Sequence, residues 1–284
     1  MSENRSAAED RSDHRGTSAN RRALITGCST GIGRATAVEL TKRGYEVIAT
    51  ARRPETLDDL DVAQRLALDV DDDASVARVC DAVGAIDVLV NNAGFGVEGP
   101  VESVPLTEVR RLFETNFFGA ARMIQAFVPA MRERGSGAVV NVTSVNGVVA
   151  APLAGYYSAS KFALEGLSES LHLEVGHLGV RVVVIEPGVI ETRFSGNAID
   201  HRPEPGPYAE LATLWEGALD TLAGGADPPG PELVAATIGE ALEADPYRLR
   251  WPVGGDADLV LGARAAMSYD DFEASMREVL KLDW

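Results

Sequence analysis

The stretch Ala23–Leu40, ALITGCSTGIGRATAVEL, changes character twice. It opens as a short apolar run, passes through a turn in which Gly27, Gly31 and Gly33 are spaced GxxxGxG, and continues with helical period. Glycines at these positions let the backbone turn tightly and approach a pyrophosphate. The start of the following helix offers unpaired N–H groups and a partial positive charge. Ser29, Thr30 and Ile32 share that turn and join the glycines as candidate phosphate-binding residues. A glycine cluster alone also fits an ordinary strand-to-helix connection; the strand before it and the helix after it favour dinucleotide binding.

Outward from this unit the pattern repeats. EVIAT, IDVLV, AVVNVT and VRVVVIEP are further apolar, β-rich runs, and helical segments lie between them at 72–83, 106–135 and 156–179. Strands apolar on both faces and separated by helices imply a parallel sheet covered on both sides, a doubly wound α/β (Rossmann) fold. Residues 1–20, rich in Ser, Asp, Arg and Glu, are expected to be a disordered tail, and 21–284 to form one domain. Residues 189–230 carry Gly- and Pro-rich segments around a helix at 208–223 and leave the carboxyl edge of the sheet, which suggests a substrate loop or lid. A helix at 231–244, an extended segment at 247–254 and terminal helices over 256–284 complete the chain.

The formal net charge of −17 disfavours nucleic acid and anionic membranes as partners. Two cysteines, Cys28 and Cys80, make no disulfide framework or metal set, and no apolar run is long enough to span a bilayer. A cytoplasmic protein without a metal is the expectation. Cofactor choice falls at the end of the second strand, about 20 residues past the glycine turn. That position is Ala51, followed by Arg52 and Arg53. No carboxylate is there to accept from a free ribose 2′-hydroxyl, and two guanidinium groups can pair with a 2′-phosphate, so NADP(H) is favoured over NAD(H).

In YYSASK (156–161), Tyr157 and Lys161 are four residues apart and share a helix face, whereas Tyr156 points elsewhere. An ammonium near a phenol favours the phenolate and suits it to exchange a proton with an alcohol or ketone.

Taken together, these residues resemble the short-chain dehydrogenases/reductases. The match comprises TGxxxGIG (Thr26–Gly33), NNAG (Asn91–Gly94), Asn116 in ETNFFG, Ser144 thirteen residues before Tyr157, YxxxK (Tyr157, Lys161) and PGVIET (Pro187–Thr192). The resemblance implies that Tyr157 is the general acid or base, Lys161 holds the nicotinamide ribose and lowers the tyrosine pKa, Ser144 binds the substrate oxygen, and Asn116 positions a water for proton relay. It further implies cofactor contacts from Asp69, Val70, Asn92, Ala93, Gly94, Pro187, Gly188, Val189, Ile190 and Thr192, besides the glycine turn. Asn91 and Asn92 could equally serve as backbone braces. TARRPETL with the 156–175 helix looks like the 17β-hydroxysteroid dehydrogenase and ketoreductase group, which implies a fairly apolar carbonyl or alcohol substrate and a homodimer or homotetramer. An epimerase or dehydratase with an internally recycled cofactor, or a nucleotide-sensing protein without turnover, would use the same fold. The intact Ser144, Tyr157 and Lys161 favour simple redox.

Overall fold

The computed structural model describes residues 21–192, 198–202, 206–222 and 227–282; the expected tail lies outside them. The strands of the main sheet are β1 (Arg22–Ile25), β2 (Glu46–Ala51), β3 (Gln64–Ala67), β4 (Val88–Asn91), β6 (Gly137–Val142), β7 (Val180–Pro187) and β9 (Arg250–Val253). All pair in parallel, in the order β3-β2-β1-β4-β6-β7-β9. Two-residue strands β5 (Val97–Glu98) and β8 (Ile199–Asp200) make a separate ribbon. The doubly wound fold expected from the sequence is present.

Successive strand residues point to opposite layers, so a sheet covered on both sides needs apolar residues at every position. Ala23, Ile25, Val47 and Ala49 pack under α1 (Gly31–Lys42) and the helix Pro231–Glu243 through Ala37, Leu40, Val234 and Ile238. Leu24, Ile48, Leu89 and Val139 face the other way. They meet α2 (Asp73–Val83), α4 (Ala120–Arg134) and α5 (Gly155–Val175) through Val76, Met123, Phe127 and Leu171. Leu24 and Ile25 are neighbours in sequence and both have no exposed surface, one in each layer. Each such side chain contributes about 1.5–3 kcal/mol by leaving water.

Two elements depart from the sequence reading. Strand β3 is absent from that reading because QRLA alternates half-buried and exposed residues, as an edge strand bonded on one side can. The helical run 106–135 is not continuous. It divides into α3 (Leu106–Phe113), a π-helical turn Glu114–Gly119, and α4. Such widened turns often occur at functional sites, and this one contains buried Asn116.

The helical connections of β1 and β4 leave in opposite directions, which opens a crevice above their carboxyl ends. Thr26 holds the two strands together there. Its N–H donates to the Val90 carbonyl at 3.0 Å, and its Oγ1 accepts from the Asn92 and Ala93 N–H groups, each at 2.9 Å. Thr26→Val keeps the shape and leaves those two N–H groups without an acceptor, at a cost of about 1–3 kcal/mol for each buried group. Denaturant unfolding should therefore show a loss of at least about 2 kcal/mol; unchanged stability would remove Thr26 from this role.

Candidate functional site

A cleft of about 930 Å³ runs along the carboxyl edge of the sheet, from the glycine turn to the helix 209–222. The Thr30 side chain caps none of the N–H groups at the start of α1, and no acidic residue lies in its first turn. That helix end is open to an anion. Gly27 and Gly31 have φ of +74° and +57°, a conformation that favours glycine. A Cβ on Gly27 would stand 3.0 Å from the Ala93 Cα, and one on Gly31 would stand 3.6 Å from the Thr192 Cβ. A Cβ on Gly33 would collide with the Asn92 amide and the Gly27 carbonyl. Gly33 therefore serves close packing beneath the turn and does not line the cleft.

Asn92 acts as a brace. Its Nδ2 donates to the carbonyls of Thr26 at 2.8 Å and Gly27 at 3.3 Å, which holds the turn against β4. Asn91 belongs to a buried chain in which its Nδ2 donates to Asn141 Oδ1 at 2.9 Å and Asn141 Nδ2 donates to Ser168 at 2.8 Å. Cys28 donates its thiol to the Ile25 carbonyl and has no exposed surface. Burial pushes that thiol up to about 12, which makes it an inert filler. Beyond β2, Arg52 is exposed and lines the cleft, whereas Arg53 is exposed and does not. Asp69 and Val70 line the same end. The Asp69 carboxylate accepts from the Asp71 N–H at 3.1 Å, which folds the segment after β3.

At the centre, Tyr157 is half-buried and its phenol hydrogen-bonds the Ser144 hydroxyl. Ser144 itself caps the short turn Val145–Gly147, accepting from the Asn146 N–H at 3.1 Å. Lys161 lies one helical turn beyond Tyr157, with Nζ 5.8 Å from the tyrosine ring centroid and donating to the Val142 carbonyl at 2.9 Å. Burial pushes the phenol up to about 12, with the Ser144 hydrogen bond opposing. Burial also holds Lys161 down to about 8, with the Glu165 carboxylate opposing. This differs from the sequence expectation that the ammonium lowers the tyrosine. In this state the lysine amine is bonded to a carbonyl, and desolvation is the largest influence on the phenol.

Asn116, fixed by the π-helical turn, lies behind the cleft. Its Oδ1 accepts from the Phe95 N–H at 3.0 Å, while Nδ2 donates to the Phe95 carbonyl at 3.0 Å and Ser160 Oγ at 3.1 Å. A Cβ on Gly94 would stand 3.0 Å from Asn116 Oδ1 and 3.8 Å from Lys161 Nζ, so both groups flank the space that this glycine leaves. Tyr156 turns away from the cleft and donates to the Val101 carbonyl at 3.2 Å. His172, further along α5, is half-buried and shares a 2.6 Å hydrogen bond with Tyr247.

Of the candidate residues named from the sequence, all line this one cleft except Gly33, Arg53 and Asn116. Sequence reasoning missed Asp256, whose carboxylate accepts from the Val189 N–H at 2.7 Å and packs against Gly188. A single acid far along the chain carries no motif; only its N-terminal place in the helix Gly255–Ala266 hinted at a capping role. The expected lid leaves and rejoins the body where the Glu191 N–H donates to the Pro229 carbonyl at 2.8 Å. Its helix spans Ala209–Leu222, and residues 193–197, 203–205 and 223–226 lie outside the described residues. Trp215, Leu219 and Leu222 of that helix join Phe95, Val149 and Leu153 as apolar walls. Arg202 ties the β5–β8 ribbon to the same helix through Asp200 at 2.8 Å and Glu216 at 3.2 Å. Among the described residues no helix is long and apolar enough to cross a membrane, and no acid, histidine or cysteine cluster could hold a metal.

The chain is 35% identical over 237 residues to the uncharacterized oxidoreductase YbbO of Escherichia coli, covering 81% of this chain and 84% of that protein. It is 42% identical over 197 residues to human retinol dehydrogenase 8, covering 64% of this chain and 62% of the relative. A short chain dehydrogenase from Burkholderia cenocepacia, solved in complex with NADP, superposes with a TM-score of 0.75 at 26% identity and covers 95% of this chain and all of that one. The family model for short chain dehydrogenases matches residues 21–203, and with that match over more than half its length the chain belongs to the short-chain dehydrogenase/reductase family of oxidoreductases.

Proposed function

We propose that the protein is an NADP(H)-dependent oxidoreductase that interconverts a ketone and a secondary alcohol on a fairly apolar substrate. The observation that carries this reading is the meeting of the Tyr157 phenol, the Ser144 hydroxyl and the buried Lys161 ammonium at the junction of the two halves of the cleft. With the phenol raised to about 12 and the lysine lowered to about 8, Tyr157 holds its proton at neutral pH and Lys161 still carries its charge. A protonated phenol beside a hydroxyl is the state required to receive a carbonyl oxygen and give it a proton.

The glycine turn and the open helix end fit a dinucleotide pyrophosphate, since the cradle is formed where side chains are absent. Asp69 and Val70 would border the adenine, and Thr192 with the 187–190 loop, held by Asp256, would border the nicotinamide. When held by these residues, NADPH would supply the hydride that reduces the carbonyl carbon. Ser144 hydrogen-bonds the carbonyl oxygen, the Tyr157 O–H bond breaks, and its proton passes to that oxygen to give the alcohol. The Lys161 ammonium stabilises the resulting phenolate. Asn116 Oδ1 and Lys161 Nζ, which flank Gly94, can hold a water between them that returns a proton. Oxidation runs the same steps backward.

Arg52, exposed at the cleft edge just past β2, is the residue to pair with a 2′-phosphate; Arg53 lies outside the lining. The apolar walls of Phe95, Val149, Leu153, Trp215 and Leu219 support an apolar substrate, and the likeness to a retinol dehydrogenase agrees with this. Leu106, Phe118, Phe162 and Leu173 stand exposed on the α3-to-α5 region, which supports self-association as a homodimer or homotetramer.

Tyr157→Phe should reduce NADPH-dependent ketone reduction on the order of 10²–10⁴-fold, and NADPH binding followed by fluorescence should stay close to wild type. An active phenylalanine variant would take Tyr157 out of the chemistry. Arg52→Ala should weaken NADPH binding roughly tenfold or more while NADH binding changes little, because only the former loses a charge-assisted contact of about 1.5–3 kcal/mol. Equal losses for both nucleotides would refute the 2′-phosphate contact.

A further inference from the structure

Behind the proposed proton donor lies a buried charge cluster that the mechanism above does not use. Glu165 follows Lys161 by one turn of α5 and is 4% exposed; Glu186, next to last in β7, is 1% exposed. A single cation, Arg250 of β9, reaches both. Its NH2 group lies 3.0 Å from Glu165 Oε2, and its Nε lies 3.2 Å from Glu186 Oε1. The half-exposed Glu169 takes the outer side of the same guanidinium at 2.7 Å. Other faces offer little more charge. Thr143, just past the end of β6, donates its hydroxyl proton to the Ile185 carbonyl at 2.9 Å, and Gly147 packs against the Glu165 stem.

The two inner carboxylates are short of partners. Oε1 of Glu165 has no hydrogen bond, and Oε1 of Glu186, although near Arg250 Nε, is not aligned to accept one. Thr143 faces Glu165 closely enough to oppose the raising of its pKa, but its proton is committed to Ile185. Two like charges in one dry site, with one partly exposed arginine between three carboxylates, favour retention of a proton. Lys161, one helical turn before Glu165, lines the cleft, and Glu165 is the acid that opposes the lowering of its pKa.

We propose that Glu165 and Glu186, which share Arg250, act as a single carboxyl pair with one exchangeable proton between them and, through Glu165, tune the charge of Lys161 from the side away from substrate. Both are positioning residues, and the proposal rests on the reading that Lys161 serves the reaction. The proton moves only between water and the pair, so no oxidant or further reactant is required. Burial, with the Glu165 charge adding to it, raises Glu186 to about 7, so the pair changes charge in the range where the enzyme would work. When Glu186 is protonated, Glu165 faces Arg250 and Lys161 without a like-charged neighbour on its inner side.

The chain has only three lysines, Lys42, Lys161 and Lys281, so ¹³Cε labelling of lysine resolves Lys161 directly. Titration of the full-length, cofactor-free protein by NMR should give Lys161 a midpoint of about 8 and a glutamate Cδ midpoint of about 7 that disappears in Glu186→Gln. Glu165→Gln should lower the Lys161 midpoint by roughly one pH unit, because it removes the nearby negative charge. Glu186→Gln should move that midpoint much less, because at a pH of about 8 a pair with a midpoint of about 7 has already released its proton and Glu165 is ionised in both proteins. A large response to one isosteric change beside a small response to the other is not expected from general loosening of the fold. Lys161 midpoints that fall equally in the two variants or do not move at all, or wild-type glutamates that all titrate below about 5, overturn the proposal. If either variant fails to fold, the wild-type glutamate titration still decides the matter. These measurements involve no turnover, so failure to consume NADPH would sink the proposed activity and leave the carboxyl pair standing.

Discussion

The hydroxyl of Thr26 holds together the point where the fold parts. Strands β1 and β4 must run side by side through the core and then separate so that a ligand can enter between their ends. Parting strands leaves backbone N–H groups without a ladder, and in a buried setting each needs an acceptor. One oxygen takes two of them, from Asn92 and Ala93, while the Asn92 amide ties down the carbonyls of Thr26 and Gly27. The shape of the glycine turn, and so the position of the helix end behind it, follows from this joint. Asn92 thus reads as a brace, the structural role weighed for it from the sequence.

A second constraint governs the chemistry. Placing a half-buried tyrosine beside a buried lysine works against both charged forms, so desolvation moves the phenol up and the ammonium down. The spacing of Tyr157 and Lys161 in the sequence shows only the attraction between ammonium and phenolate. The structure adds the cost of desolvation and a carbonyl partner for the amine, and the balance shifts toward a neutral phenol. In reduction that is an advantage, since a proton donor must begin protonated. Glu165 offsets part of the cost to the lysine, which gives a buried acid one helical turn away a reason to be there.

How much of this was legible in the sequence depends on the range of each interaction. Strands buried on both faces announce themselves as continuous apolar runs, and the glycine turn and YxxxK are local patterns, so the sheet, its doubly wound character and the central residues could all be read. Edge strand β3 could not, because Gln64 and Arg65 are tolerated where one face meets water. The π-helical turn was hidden because one extra residue in a helical ladder leaves little trace in apolar spacing, yet it sets where Asn116 sits. Asp256 and Arg250 act on residues about 65 or more positions earlier, through contacts that only the folded sheet creates.

The same distinction separates the fixed half of the cleft from the adaptable half. Glycine turn, Asn92, Ser144, Tyr157 and Lys161 are held by strand ends and by the first turns of long helices, whose packing extends through both core layers. The apolar wall opposite is held by smaller means. Among the described residues its ties include a two-residue ribbon, a backbone hydrogen bond between Glu191 and Pro229, and ion pairs of Arg202 with partly exposed acids. Ion pairs in contact with water contribute little, commonly below about 1 kcal/mol, and are screened by salt. A wall secured in this way can change its residues or its position at small cost to the fold, whereas a change in the opposite wall disturbs the core. The apolar wall is therefore free to vary where the residues proposed to carry the chemistry are not.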